Sequence, residues 1–163
     1  SRLHEVLQAA VGWTNTHLYE FQIRDVGFGL PDKEWGDGPI DARKVSLLSA
    51  IQDTGAKSFK YHYDFGDGWT HSIKIERTFP IVALADPMLI EATGRCPPED
   101  VGGPWGYQEF REALADPSHE RHAELAEWWG AKDFDPNHAA FADLNRAVEN
   151  LAEKWARKSR RKT

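Results

Sequence analysis

The sequence predicts an α+β fold, and three observations carry that prediction. Two runs of alternating apolar and polar residues flank the turn Gly66-Asp67-Gly68. Apolar residues at helical spacing fill the last third of the chain, as in Phe141, Leu144, Val148, Leu151 and Trp155. A segment dense in Pro and Gly, from Cys96 to Tyr107, separates the two patterns. Strands early and helices late define a segregated α+β class rather than an alternating α/β one.

The elements follow in order. Leu3, Val6, Leu7, Ala10 and Val11 keep helical spacing up to Gly12, a residue suited to ending a helix. Thr16 to Ile23 reads as a strand with His17, Tyr19, Phe21 and Ile23 on one face. Asp25 to Pro39 is rich in Gly, Pro and Asp and is expected to be a long surface loop. Val45 to Ile51 is short and ambiguous, and is read as a strand running into one helical turn. The aromatic hairpin over about 58–77 is the clearest element. Phe59, Tyr61, Tyr63 and Phe65 alternate with polar residues before the turn, and Trp69, His71, Ile73 and Ile75 do so after it. A short strand is expected at Met88 to Glu91. Three helices are then expected, one over Tyr107 to Ala115, one from Ser118 to Gly130, and one from about Pro136 onward.

Composition bounds the function. The chain has 163 residues, enough for one domain with its own core. We expect a single domain over 1–156 and a basic, disordered tail over 157–163. Seven Trp, eight Phe and four Tyr point to an aromatic core. The lone cysteine, Cys96, cannot form an internal disulfide. No signal peptide or membrane-spanning run is visible, so a cytoplasmic protein without membrane contact is expected. All 26 acidic residues precede position 154, against 14 Lys and Arg, while residues 154–163 hold six cations and no acid. An acidic body repels phosphate, which leaves nucleic acid a place only at residues 154–163.

The familiar catalytic signatures GxGxxG, GK[ST], HExxH and GxSxG are absent. His119 and His122 lie three apart but lack a third metal ligand at a defined spacing. Asp64-Phe65-Gly66-Asp67-Gly68 is no EF-hand, since Gly and Ile75 occupy positions that need oxygen ligands. What remains is a turn bearing Asp64 and Asp67, followed by His71 on the apolar face. Glu99 and Asp100 sit in the Pro- and Gly-locked loop. There they serve either as pKa-shifting neighbours in a site or as caps on the Gly102-Gly103 amides. Cys96 next to that loop is a weak candidate for a thiol nucleophile, with no His tied to it by spacing. Asp64, Asp67, His71, Glu99, Asp100 and Trp105 are expected to form one functional rim.

Three stretches together resemble one family. They are Leu3-His4-Glu5-Val6-Leu7 with Gly12-Trp13-Thr14-Asn15-Thr16-His17, then Tyr63-Asp64-Phe65-Gly66-Asp67-Gly68-Trp69, then Cys96-Pro97-Pro98-Glu99-Asp100-Val101-Gly102-Gly103 with Trp105-Gly106-Tyr107. The chain is similar to the plasmid pRiA4b ORF-3-like family from residue 3 to about 150. The resemblance implies a mainly antiparallel sheet with helices packed on it, and no settled activity. Some relatives are labelled resolvases, but no His here has Arg three positions on, as a tyrosine recombinase requires. Relatives often carry a second Cys where Val101 stands. They also begin with a strand carrying a Pro-x-Trp-Arg element before the Leu-His helix, and if that strand is missing a sheet edge is exposed or another chain fills it.

Three functions stay open at this point. The first is a non-catalytic binding or accessory module using the hairpin turn and the acidic loop, with a protein or small molecule as partner. The second is a metal-assisted hydrolase using the carboxylate and histidine cluster. The third is a nucleic-acid accessory factor of a mobile element acting through residues 154–163. No cofactor is indicated, and the metal is unknown.

Overall fold

The computed structural model describes residues 1–31, 38–80, 86–130 and 133–160. The chain is α+β, with its strands in the first half and its longer helices in the second. It divides into two compact units, Ser1–Glu5 with Asn15–Ala85, and Val6–Thr14 with Asp86–Thr163. The first helix, α1 (Arg2–Val11), contributes residues to both.

The first unit holds the sheet. Strands β1 (Tyr19–Ile23), β2 (Val26–Gly29), β3 (Ile40–Asp41), β4 (Ser58–Tyr63) and β5 (Trp69–Lys74) lie in the order β3-β2-β1-β4-β5. All pairings are antiparallel except the short β2–β3 contact. The expected aromatic hairpin is β4–β5, with Tyr61 opposite His71 and Tyr63 opposite Trp69. β1 is the central strand and β5 an edge. Tyr19, Phe21, Ile23, Phe59, Tyr61 and Tyr63 are buried along one face, each worth roughly 1.5–3 kcal/mol of burial. Trp69, His71 and Ile73 share that face but are only partly buried. The full cost of deleting a buried Trp is therefore not expected at Trp69.

Part of the anticipated loop from Asp25 to Pro39 is strand. Arg24 takes a positive φ of 52° and turns β1 directly into β2. The portion over 32–37 lies outside the described residues. The ambiguous stretch after Val45 resolves into helix α2 (Leu47–Thr54). Ser46 caps it by accepting the Ser49 N–H at 3.0 Å.

The second unit is helical, with α3 (Gly103–Ala115), α4 (His122–Trp129) and α5 (Phe141–Arg160). α3 begins four residues earlier than expected, inside the Pro/Gly segment. Pro104 stands in its first turn, where a missing N–H costs nothing. α4 begins four residues after Ser118, because Asp116 takes both the Ser118 N–H and its hydroxyl, at 2.8 and 2.7 Å, and holds a turn there. No strand forms at Met88 to Glu91. The Leu89 N–H donates to Asn145 Oδ1 on α5 at 3.0 Å, so a side chain replaces a sheet partner. Of the expected α5 stripe, Val148 and Leu151 are buried, Leu144 and Trp155 are partly buried, and Phe141 at the helix start is exposed. The helix runs through Arg160, into the stretch expected to be disordered. Ala, Arg and Lys are strong helix formers, and a Glu153–Arg157 pair at 2.8 Å spans one turn. Phe110 is fully buried against Trp128, Trp129 and Phe134. The Arg95 guanidinium lies 5.0 Å from the Trp129 ring and 5.2 Å from that of Phe134.

Candidate functional site

The hairpin turn is built around Asp64. This residue follows β4 directly with a φ of 54°, which Asp tolerates better than most side chains. Its backbone N–H donates to the Leu18 carbonyl at 3.0 Å, and its own carbonyl accepts the Gly68 N–H at 2.6 Å. Gly68 supplies the positive φ, 72°, that closes the turn. One carboxylate oxygen, Oδ1, accepts the N–H groups of Gly66 and Asp67 at 3.0 and 3.3 Å. The other, Oδ2, faces His17 Nε2 at 3.7 Å. The Asp64 carboxylate is thus nearly buried, oriented by two amides, and aimed at an imidazole.

His17 is held in turn. Its ring meets Tyr63 edge-on at 5.8 Å, and the Tyr63 hydroxyl accepts the backbone N–H of Thr16 at 3.1 Å. The segment leading into β1 is thereby pinned to the end of β4. His17 and Asp64 are a donor pair with metal-ligand chemistry, imidazole nitrogen and carboxylate oxygen.

The expected rim takes its residues from both units. Asp64, Asp67 and His71 belong to the first, and Glu99, Asp100 and Trp105 to the second. Asp67 is half-buried within the turn. His71 lies opposite Tyr61 on the apolar face, with ring centroids 5.6 Å apart. In the second unit, Glu99 Oε2 accepts the Thr14 N–H at 2.8 Å and also the Thr14 hydroxyl. It holds the segment after α1, and Trp13 Nε1 donates to the Pro97 carbonyl beside it at 2.8 Å. Asp100 is exposed at a positive φ of 60°, and Trp105 is 84% exposed on the first turn of α3. Burial, reinforced by the charge of Glu99, pushes the Cys96 thiol up to about 12, so it stays protonated at neutral pH and is no nucleophile.

Two histidines carry the electrostatic signature of burial. His4 on α1 is only 3% exposed, stacked on Tyr19 with centroids 3.7 Å apart. Its Nε2 donates to Asn15 Oδ1, and its Nδ1 accepts from the Tyr61 hydroxyl at 2.7 Å. Burial lowers its pKa from 6.5 against the opposing pull of the Asn15 bond, and burial lowers that of His71 as well. Between the folded and unfolded values the unfolded chain binds more protons, so stability rises with pH there. Stability should be intact above about pH 6.5 and fall as pH drops through the lowered folded values. Urea midpoints at pH 7 and pH 5.5 check this. His4→Gln, which keeps polar contacts but cannot titrate, should flatten the difference, and an unchanged difference would rule His4 out as a source.

Sequence reasoning missed His17 as a site residue and His4 as a buried one. Alternation puts His17 on the strand face with Tyr19, but β1 begins only at Tyr19, and the β1–β4 register, Tyr19 opposite Tyr63, brings His17 to Asp64. Periodicity within each strand carries no signal of that pairing. No helix among the described residues is long and apolar enough to cross a membrane.

Fold and site together define an α+β protein with a histidine–carboxylate pair set just before β1 and just after β4. The chain belongs to the family described as plasmid pRiA4b ORF-3-like protein, which it matches over residues 1–143. It is 78% identical, over 163 residues, to the uncharacterized protein y4hQ of Sinorhizobium fredii (strain NBRC 101917 / NGR234), covering 100% of this chain and 84% of that one. It is also similar to a crystal structure of a protein of unknown function, MM3350, from Methanosarcina mazei Go1. That likeness has a TM-score of 0.72 at 31% identity and covers 86% of this chain and 80% of the other. The function of these relatives is unsettled too.

Proposed function

We propose that the chain is a binding module whose ligand is a divalent cation held by His17 and Asp64, and through that cation an anionic group. The distance between the two side chains carries this reading. At 3.7 Å, Nε2 and Oδ2 are too far apart for a hydrogen bond, whose limit is about 3.2 Å. Two donors each bound to one tetrahedral zinc at ~2.0–2.2 Å stand roughly 3.3–3.6 Å apart. The pair therefore keeps nearly the spacing that a shared ion imposes. The two amides on Asp64 Oδ1 fix the carboxylate in advance, so little ordering cost remains on binding. Two protein donors leave coordination positions open to water or to a ligand's own oxygens.

Metal-assisted hydrolysis differs from this reading only in using a metal-bound water as nucleophile. A cytoplasmic location fits the lone, thiol-protonated Cys96 and belongs to the same proposal.

Titration calorimetry with zinc and with manganese tests the reading. Wild type should bind one ion per chain. His17→Ala and Asp64→Asn should each weaken binding by more than the 10–100-fold that loss of a mere outer-shell partner costs. Asn keeps an acceptor for the Gly66 and Asp67 amides and tolerates the positive φ. Asp64→Asn should therefore fold with nearly wild-type stability. Equal affinity in wild type and both variants would end the proposal.

A further inference from the structure

We propose that the C-terminal end of α5 is a docking surface for the phosphodiester backbone of nucleic acid. Lys154 stands three residues before Arg157 and four before Lys158 on α5, so the three share one helix face. Together with Asn150 and Glu153 they line a groove along that face. The sequence adds Arg160, Arg161 and Lys162 and places no acid beyond Glu153. Because the helix is formed to Arg160, the first three cations project from a rigid rod rather than a coil, and less ordering is needed when they bind.

Three observations select the partner. The apolar stripe of α5 is already used, since Val148 and Leu151 are buried in the fold. A helix that lies in a membrane surface needs its apolar face for insertion, and this one lacks it. Among the described residues Arg157 pairs with Glu153, the two side chains being 76% and 68% exposed. Exposed pairs of that kind contribute little, so Arg157 transfers readily to a stronger anion. The 26 acids before position 154 outnumber the 14 cations there, so a phosphate chain is repelled elsewhere and contact is confined to this end. A duplex carries one charge per ~1.7 Å and releases condensed counterions on contact, a gain that a sparsely charged acidic protein cannot match.

The test is fluorescence anisotropy of the full chain with a labelled DNA duplex of about 20 base pairs across a KCl series. Three to six neutralised phosphates predict a slope of log K against log salt between about −2.7 and −5.4. Combined Lys154→Ala, Arg157→Ala and Lys158→Ala should shrink that slope by about 2.7 while helix content by circular dichroism is kept, since Ala is a good helix former. Lys60→Ala, on β4 in the first unit, should change neither. Absence of duplex binding would overturn the proposal, as would a slope near zero or one unaltered in the triple variant. So would binding to phosphatidylserine vesicles, or salt-sensitive self-association in the ultracentrifuge, without any binding of the duplex.

Discussion

Replacing Tyr61 by Ala should lower the stability of the chain by about 3–5 kcal/mol, the range for deleting a large aromatic from a core. Tyr61 is 1% exposed and stands where three elements meet. Its ring stacks on Phe21 of β1 at 5.0 Å and approaches His71 of β5 at 5.6 Å. Its hydroxyl donates to His4 Nδ1 at 2.7 Å, tying the start of α1 to the sheet. Packing and hydrogen bonding are separable here. Tyr61→Phe keeps the ring and removes only the partner of a buried imidazole, which should cost about 1–3 kcal/mol. Urea denaturation at pH 7 gives both values. A Phe variant as stable as wild type would show that His4 does not depend on Tyr61.

Gly106→Ala should destabilise the second unit by about 1–3 kcal/mol or more, although helix propensity alone favours Ala over Gly by about 1 kcal/mol. Gly106 lies in the first turn of α3, its N–H bonded to the Gly102 carbonyl at 3.1 Å. An added Cβ would stand 2.1 Å from the Val101 carbonyl oxygen and 2.9 Å from its carbon. Both are backbone atoms, so no side-chain rotation relieves the clash, and the Glu99-Asp100-Val101 loop must move. The two effects have opposite signs, so the direction of the change in thermal midpoint decides which governs. A stabilised Ala variant would mean the loop yields freely and does not hold Glu99 in place.

The hairpin was legible because both signals, alternation and a Gly-rich turn, act within a few residues. The stripe on α5 was legible for the same reason. Pro104 misled the reading of α3, since proline breaks a helix interior yet is tolerated in the first turn, and spacing alone does not separate the two. Ser118 looked like a helix cap, but Asp116 competes for it. The acidic residues were found by type, and their roles were not. Glu99 spends Oε2 on Thr14, 85 positions away in sequence, while Asp64 divides its two oxygens between the turn and His17. Those assignments depend on pairings between distant segments, which local pattern does not encode. His4 was hidden in the same way. A histidine between Leu3 and Glu5 reads as surface until Tyr61 and Tyr19 close over it.

X-ray absorption at the zinc edge of the zinc-loaded chain tests the central claim most directly, because it reports which atoms touch the metal. A shell of nitrogen and oxygen at ~2.0–2.2 Å is predicted, with imidazole scattering that disappears in His17→Ala. A sulfur shell at ~2.3 Å would place the ion on Cys96 instead, and imidazole scattering that survives His17→Ala would place it on another histidine. Either result would contradict a cation held between His17 and Asp64.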